Sequence, residues 1–129
     1  MRVLIVEDSD SICRMIEALV SARGFEVAIA KNGTKALAEA FARVPDVVLL
    51  DINLPGSLDG IEVCRKLRQN PLTRATPILF ISAMTDEDAR RRAHEAGGTA
   101  YYTKPFSPIA LLKEIESVRG RTKTIPGPT

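Results

Sequence analysis

The chain of 129 residues is long enough to form one domain with its own core. Its composition, 45% hydrophobic and 26% charged residues, is that of a folded soluble protein, and its net charge of +2 is too small to indicate binding to nucleic acid or to an acidic membrane surface. No apolar run approaches the roughly 20 residues of a membrane span, and the amino-terminal residues resemble a strand rather than a signal peptide. A cytoplasmic location without membrane contact is therefore expected.

Strand-like and helix-like segments alternate along the chain. Short, mostly apolar runs predict five strands, at residues 2–6, 25–30, 46–50, 77–81 and 100–102. Apolar residues at helical spacing predict five helices, at residues 9–23, 33–44, 60–69, 86–96 and 108–120. Strict alternation of this kind indicates an α/β fold, in which a single doubly wound sheet of parallel strands carries helices on both faces.

The same spacing predicts which helical residues face the core. They are expected to be Ile12, Met15, Ile16, Leu19 and Val20 in the first helix, Leu37, Phe41 and Val44 in the second, Ile61, Cys64 and Leu67 in the third, Ala89, Ala93 and Ala96 in the fourth, and Ile109, Leu112, Ile115 and Val118 in the fifth. Thr85 with Asp88 predicts a capping box at the start of the fourth helix. Because alanines bury little apolar surface, this helix should be the least firmly anchored.

Three acidic residues stand where strands are expected to end. Glu7 and Asp8 follow the first strand, and Asp51 follows the third. In a parallel sheet the carboxyl ends of strands share one edge, so the three carboxylates should gather there. Two carboxylates about 4 Å apart repel by roughly 4 kcal/mol at an effective dielectric near 20. Such a cluster requires protonation or a cation, and all-oxygen ligands suit Mg²⁺.

These acids belong to a longer ordered set. Ser82-Ala83 follows the fourth strand and Lys104-Pro105 follows the fifth. Together they resemble the receiver domain of two-component response regulators, over roughly residues 1–120, and the likeness is to chemotaxis-regulator-like members. The resemblance implies a flavodoxin-like strand order 2-1-3-4-5 and a receiver domain at 1–120. Residues 121–129, which have two prolines and no periodicity, are expected to form a flexible tail or a linker.

The resemblance also implies a metal site and a phosphoacceptor. Asp51 would accept the phosphoryl group as an acyl phosphate. Mg²⁺, or Mn²⁺ in its place, would be bound by Asp8 and Asp51 directly, by Glu7 through a water, and by the backbone carbonyl of Asn53. Lacking outside substrates, such a domain would not be an enzyme, although it would assist its own phosphorylation and dephosphorylation.

Further roles follow from the same resemblance. Lys104 would neutralise phosphoryl charge, and the Ser82 hydroxyl with the Ala83 backbone N–H would donate hydrogen bonds to phosphoryl oxygens. Tyr101 would change rotamer when Ser82 moves, whereas Tyr102, on the opposite face of the strand, would be a core residue. The implied partners are a histidine kinase or a histidine phosphotransfer protein, and an effector or a second copy bound through the fourth helix, fifth strand and fifth helix.

Alternatives remain open at this point. A nucleotide-binding domain would need a glycine-rich turn after the first strand, where this chain is acidic. A haloacid-dehalogenase-type phosphatase would use a second aspartate two residues after Asp51, but position 53 is Asn. A receiver-like module could also bind partners without being phosphorylated. In addition, the loop from Asp51 to Gly60 is one residue longer than in most relatives, which leaves its shape open.

Overall fold

The computed structural model of the protein describes the backbone of residues 1–123 and the side chains of residues 1–118. Its strands are β1 Arg2–Val6, β2 Glu26–Ala30, β3 Val47–Leu50, β4 Ile78–Ser82 and β5 Ala100–Thr103. Its helices are α1 Asp10–Ser21, α2 Gly33–Ala42, α3 Gly60–Gln69, α4 Glu87–Glu95 and α5 Pro108–Lys123. Every predicted element is present, with ends that differ from the predicted ones by up to three residues.

The five strands form one sheet in the order β2-β1-β3-β4-β5, and every pair is parallel. This confirms the predicted α/β fold and its flavodoxin-like order. The register places Val6 beside Leu50 and Ser82 beside Thr103. The residues that follow these strands therefore emerge together at one edge of the sheet.

Alternate residues of the strands contribute to two separate hydrophobic cores. Leu4 and Val6 pack on one face of the sheet with residues of α2, α3 and α4, whereas Val3 and Ile5 pack on the other face with residues of α1 and α5. This two-sided burial explains why the strands are almost continuously apolar rather than alternating. None of the helices in the described part of the chain is long and apolar enough to cross a membrane.

Two predicted core stripes are confirmed except at one residue each, because each helix is rotated slightly from the predicted orientation. Met15 and Ile109 are 42% and 67% exposed, and Cys13 and Leu111 are buried instead. Helical spacing defines a stripe about 100° wide, but the rotation of that stripe is set by the packing of α1 and α5 against the sheet and each other. The exposed side chains belong to the borders of the stripe.

The second helix ends earlier than predicted, and Val44 is 41% exposed rather than inward-facing. Arg43 caps the helix in an extended conformation. Pro45 explains why Val44 is not helical, because a proline disfavours helical backbone in the residue before it. Leu37 and Phe41 are partly buried against the core, while Ala36 and Ala40 are fully buried.

The amino-terminal cap of α4 is Asp86 and not Thr85 as predicted. Its side chain accepts a hydrogen bond of 2.7 Å from the backbone N–H of Ala89. An aspartate carboxylate accepts this bond and also interacts favourably with the positive end of the helix dipole, which explains why it displaces threonine from the cap. The predicted inward face of Ala89, Ala93 and Ala96 is confirmed.

The last helix extends to Lys123, beyond its predicted end at Gly120. The first residues of the predicted tail, 121–123, are thus helical. The remainder of that tail, residues 124–129, lies outside the described residues.

Candidate functional site

The three strand-end carboxylates meet at the edge of the sheet. Asp51 donates its backbone N–H to the Val6 carbonyl at 3.1 Å, so the residue after β3 is tied to the end of β1. One carboxylate oxygen each from Glu7, Asp8 and Asp51 lie within 4.8 Å of one another. Glu7 and Asp51 are buried, whereas Asp8 is exposed. The cluster is thus open to solvent on the side of Asp8.

This donor set fits a hard divalent cation. Mg²⁺ binds oxygen ligands at about 2.0–2.1 Å, so ligands on opposite sides of it are roughly 4.2 Å apart. The three carboxylate oxygens lie within 4.8 Å of one another, close enough for small side-chain movements to bring them around one ion. Asn53 donates its backbone N–H to Oδ1 of Asp51 at 3.2 Å, which holds the predicted carbonyl ligand close to the cluster.

Lys104 lies between the two buried carboxylates. Its Nζ donates to Glu7 Oε1 at 2.8 Å and to Asp51 Oδ2 at 3.0 Å. The backbone N–H of Lys104 donates to the Ser82 carbonyl, which fixes the lysine beside the end of β4. The Lys104–Pro105 peptide bond is cis. Three carboxylates against one ammonium leave two formal negative charges uncompensated, which is the charge of one divalent cation.

The electrostatics of the site follow from burial and from these two ion pairs. Burial raises the pKa of Glu7, and the hydrogen bond from Lys104 only partly opposes that rise. Burial lowers the pKa of Lys104, but the hydrogen bonds to Glu7 and Asp51 outweigh it, so that the lysine pKa is raised. Lys104 therefore carries its positive charge throughout the neutral range.

Two further predicted residues are linked through the backbone of a residue that the sequence analysis did not identify. The fully buried Ser82 accepts a hydrogen bond at its Oγ from the Met84 N–H at 3.0 Å. The Tyr101 hydroxyl donates to the Met84 carbonyl at 2.8 Å. Met84 thus connects the two predicted switch residues. No sequence signal marks it, because backbone atoms make both bonds.

Tyr101 is also covered from the side of α4. The guanidinium of Arg90 lies 4.9 Å from the centre of the Tyr101 ring, within the range of a cation–π interaction. Tyr102, on the other face of β5, packs partly buried against the α1–α5 core, as predicted. Ala83 directly follows β4 and is exposed, so its N–H as a phosphoryl donor stays a prediction.

Gly60 is a second residue whose importance the sequence did not reveal. A Cβ atom on Gly60 would lie 2.1 Å from the carbonyl oxygen of Asp51 and 2.8 Å from Cα of Ile52. The Gly60 N–H donates to the Ile52 carbonyl at 2.8 Å. The first residue of α3 therefore packs directly on the backbone of Asp51. A glycine at a helix start is too common to indicate such a contact.

The longer loop before Gly60 is anchored at its end. Leu58 packs against the first residue of α2, where a Cβ on Gly33 would lie 2.7 Å from Leu58 Cβ. Asp59 caps α3 by accepting from the Glu62 N–H at 2.9 Å. Earlier in the loop the backbone turns at Gly56, which has a positive φ of 95°.

The family model described as the response regulator receiver domain matches residues 3–116. The chain belongs to this family. Receiver domains are signalling modules that bind Mg²⁺ in an acidic pocket and interact with histidine kinases and effectors. This chain carries an acidic cluster, formed by Glu7, Asp8 and Asp51, at the carboxyl edge of its sheet.

Similar proteins include the response regulator PleD of Caulobacter vibrioides, 38% identical over 91% of this chain and 26% of PleD. The phosphate regulon transcriptional regulatory protein PhoB of Pseudomonas aeruginosa is 39% identical over 93% of this chain and 52% of PhoB. The chain thus spans about a quarter to a half of these relatives. Among solved structures, a putative response regulator from Chloroflexus aurantiacus aligns with a TM-score of 0.87 and 37% identity, covering 93% of this chain and 98% of that one.

Proposed function

We propose that this receiver domain accepts a phosphoryl group on Asp51 in a two-component signalling system. The donor would be the phosphohistidine of a histidine kinase or of a histidine phosphotransfer protein. The observation that supports this most is the geometry around Asp51, a buried carboxylate held between Lys104 and two further acids. Three carboxylates in one cluster are stabilised by protonation or by a cation, and charge clusters of this kind are typical of functional sites.

Different residues would have different roles in the phosphoryl transfer. An oxygen of Asp51 attacks the phosphorus, the bond from phosphorus to the donor breaks, and its electron pair leaves with the donor. The ion would be held by Asp8 and Asp51 directly, by Glu7 through water, and by the Asn53 carbonyl. Bound there, Mg²⁺ or Mn²⁺ would supply the positive charge that lets an anionic phosphoryl group approach an anionic nucleophile.

Lys104 is the natural protein cation for the phosphoryl group. It now bridges Glu7 and Asp51, and it can keep one of these contacts while donating another hydrogen bond to a phosphoryl oxygen, because an ammonium has three donors. Ser82 would donate its hydroxyl hydrogen, which its present bond from the Met84 N–H leaves available. The Ala83 N–H is the remaining proposed donor.

The same contacts suggest how the state of Asp51 would reach the surface. A Ser82 drawn toward the phosphoryl group would give up its bond from Met84, whose carbonyl holds the Tyr101 hydroxyl. Tyr101 would then change rotamer and alter the surface formed by α4, β5 and α5. A downstream effector or a second copy of the domain would bind that surface. Nucleic acid and membrane are not proposed as direct partners of this domain, which we place in the cytoplasm.

The phosphatase alternative finds no support in the arrangement. A haloacid-dehalogenase-type enzyme would need an acid–base group near the nucleophile, and Asn53 cannot donate and take back a proton as a carboxyl group does. The chain covers only 26% of PleD and 52% of PhoB. The proposal therefore concerns this domain and not what it controls in a longer protein.

Intact-mass measurement after incubation with acetyl phosphate tests the proposal. We expect one phosphoryl group per chain with Mg²⁺, none with excess chelator, and none in Asp51→Asn. Asp46→Asn is the matched control, since Asp46 lies at the opposite end of β3 and accepts a hydrogen bond from the Arg2 N–H. It should be phosphorylated like the wild type. Equal labelling of Asp51→Asn would refute Asp51 as acceptor, and continuous release of phosphate from unrelated monoesters would favour a phosphatase.

A further inference from the structure

All three oxygen atoms of Glu7 are held by hydrogen-bond donors. Oε1 accepts from Lys104 Nζ at 2.8 Å, Oε2 accepts from the Ser9 N–H at 3.1 Å, and the backbone carbonyl accepts from the Cys13 thiol at 3.3 Å. The Glu7 N–H in turn donates to the Ala30 carbonyl at 3.1 Å. Every polar group of this buried residue thus has a hydrogen-bond partner.

The bond from Cys13 differs from the others because it acts on the backbone between two acids. The Glu7 carbonyl and the Asp8 N–H belong to one planar peptide unit, so a donor that holds the carbonyl also fixes the direction in which the chain enters Asp8. Glu7 and Asp8 both contribute an oxygen to the acidic cluster. One hydrogen bond therefore acts on two members of the cluster at once.

Cys13 is itself fixed by the packing of α1. It is 2% exposed and belongs to the core that contains Ile5 and Ile16. Its backbone N–H donates to the carbonyl of Ser9, the cap of α1, at 3.0 Å. A cysteine is small and apolar enough for such a core, and its thiol is still a weak donor, which an aliphatic side chain is not. The position of the thiol is therefore set by how α1 packs on the sheet.

The Glu7 carbonyl depends on this thiol. Within the described part of the chain, the thiol is the one donor that reaches it. A buried carbonyl without a donor is costly, so a chain that lacks the thiol is expected to turn the peptide toward another donor or to admit water. Either change would move Glu7 and Asp8 relative to Asp51, which is held separately by its bond to the Val6 carbonyl.

We propose that Cys13 is a positioning residue of the metal site, whose thiol holds the Glu7–Asp8 peptide in the orientation that turns both carboxylates toward Asp51. The thiol does not bind the ion. Glu7 keeps lone pairs for a metal-bound water, because each carboxylate oxygen can accept more than one hydrogen bond. This inference rests on the proposed function only for the presence of Mg²⁺ at the cluster. It links the packing of α1 to the affinity of the metal site.

Calorimetric titration with Mg²⁺ tests this role. Cys13→Ala, which loses the donor, should raise the Mg²⁺ dissociation constant about threefold to tenfold, the range expected for one hydrogen bond. Cys13→Ser keeps a donor at the same place and should stay within about twofold of the wild type. A wild-type dissociation constant in Cys13→Ala would overturn the role. Equal weakening in Cys13→Ser would also overturn it, because the effect would then come from volume and not from the bond.

Cys64→Ala is the matched control. It removes another buried thiol that donates to a backbone carbonyl, that of Ala96 at 3.4 Å, but this thiol lies in the core on the other face of the sheet. The Mg²⁺ dissociation constant of Cys64→Ala should equal that of the wild type. A rise equal to that of Cys13→Ala would show that loss of any buried thiol weakens the site, and Cys13 would then have no special role.

A second comparison, by amide NMR in excess chelator, needs no ion. Cys13→Ala should speed hydrogen exchange of the Ser9 amide, which bonds the Glu7 carboxylate, about threefold to tenfold, whereas Cys13→Ser should not. The Lys35 amide, which donates to the Asn32 side chain at the start of α2, is the matched control and should exchange equally in all variants. Unchanged exchange in β4 verifies that the variants are folded.

The two measurements separate this inference from the proposed function. No saturable Mg²⁺ binding by the wild type would count against the proposed function, and the Ser9 exchange would then decide whether the thiol holds the Glu7–Asp8 peptide. Equal Ser9 exchange in Cys13→Ala and in the wild type would show that it does not.

Discussion

Replacing Gly60 by alanine probes the link between the backbone of α3 and the phosphoacceptor. The added Cβ would lie 2.1 Å from the Asp51 carbonyl oxygen, whereas real Cβ atoms keep at least 3.0 Å from such neighbours. The two backbones must therefore separate by the difference, about 0.9 Å, and neither is a flexible side chain that could turn away.

The substitution should affect both the stability of the protein and its rate of phosphorylation. Forcing an extra carbon into a packed site costs about 1–3 kcal/mol. The better helix propensity of alanine offsets at most about 1 kcal/mol of that cost. The free energy of unfolding should therefore fall by about 1–2 kcal/mol. Asp51 takes up part or all of this separation, and a nucleophile displaced on this scale should react about tenfold to a hundredfold more slowly with acetyl phosphate at saturating Mg²⁺.

Gly56→Ala is the matched control, since it makes the same substitution in the loop that leads to Gly60. A Cβ there meets nothing within 4 Å, and only the positive φ of 95° opposes the alanine. Urea unfolding should show that both variants are destabilised. Phosphorylation rates should show that only Gly60→Ala is phosphorylated more slowly. A Gly60→Ala protein that is phosphorylated at the wild-type rate would refute the argument that this contact positions Asp51.

Three further predictions follow from the ion pairs, the thiols and the helix cap. Lys104→Met should lower the free energy of unfolding in chelator by about 3 kcal/mol, because two buried carboxylates lose their ammonium partner. The variant should also bind Mg²⁺ more tightly, because the ion loses its competitor. Calorimetry showing weaker Mg²⁺ binding would contradict this. Burial raises the pKa of Cys64 to about 11 from 9.0, so the folded thiol keeps its proton where the unfolded one loses it. Stability should therefore fall as pH rises from 9 to 11, by about 2–3 kcal/mol relative to Cys64→Ala, and iodoacetamide should modify neither Cys64 nor the buried Cys13 in the native protein at neutral pH. Asp86→Ala should lower the free energy of unfolding in urea by about 1 kcal/mol, and Thr85→Ala should lower it much less. The reverse order would show that Thr85 and not Asp86 caps α4.

The sequence predicted the fold well because its signals are local and repeated. Five apolar runs and five periodic segments define the alternation, and the parallel sheet follows from it. The acidic cluster was also predictable, because strands that end at one edge bring the following residues together. Glu7, Asp8 and Asp51 needed no knowledge of side-chain packing to be grouped.

What could not be predicted depends on contacts between elements. The rotation of α1 and α5, which exposes Met15 and Ile109, is decided by how the two helices pack against each other and the sheet. The close approach of Gly60 to Asp51, and the contact of Arg90 with Tyr101, likewise arise only when the elements are assembled. Local patterns identify the face of a helix but not its neighbour.

The central claim is that the three carboxylates form one divalent-cation site on which phosphorylation of Asp51 depends. The most direct measurement is the phosphorylation rate as a function of Mg²⁺ concentration, for the wild type and for Asp8→Asn, with acetyl phosphate as donor. We predict a single saturable Mg²⁺ dependence in the wild type and a shift to roughly a hundredfold higher concentration in the variant, since a charged direct ligand is lost. Identical Mg²⁺ curves for the two proteins, or phosphorylation that needs no divalent ion, would contradict the account.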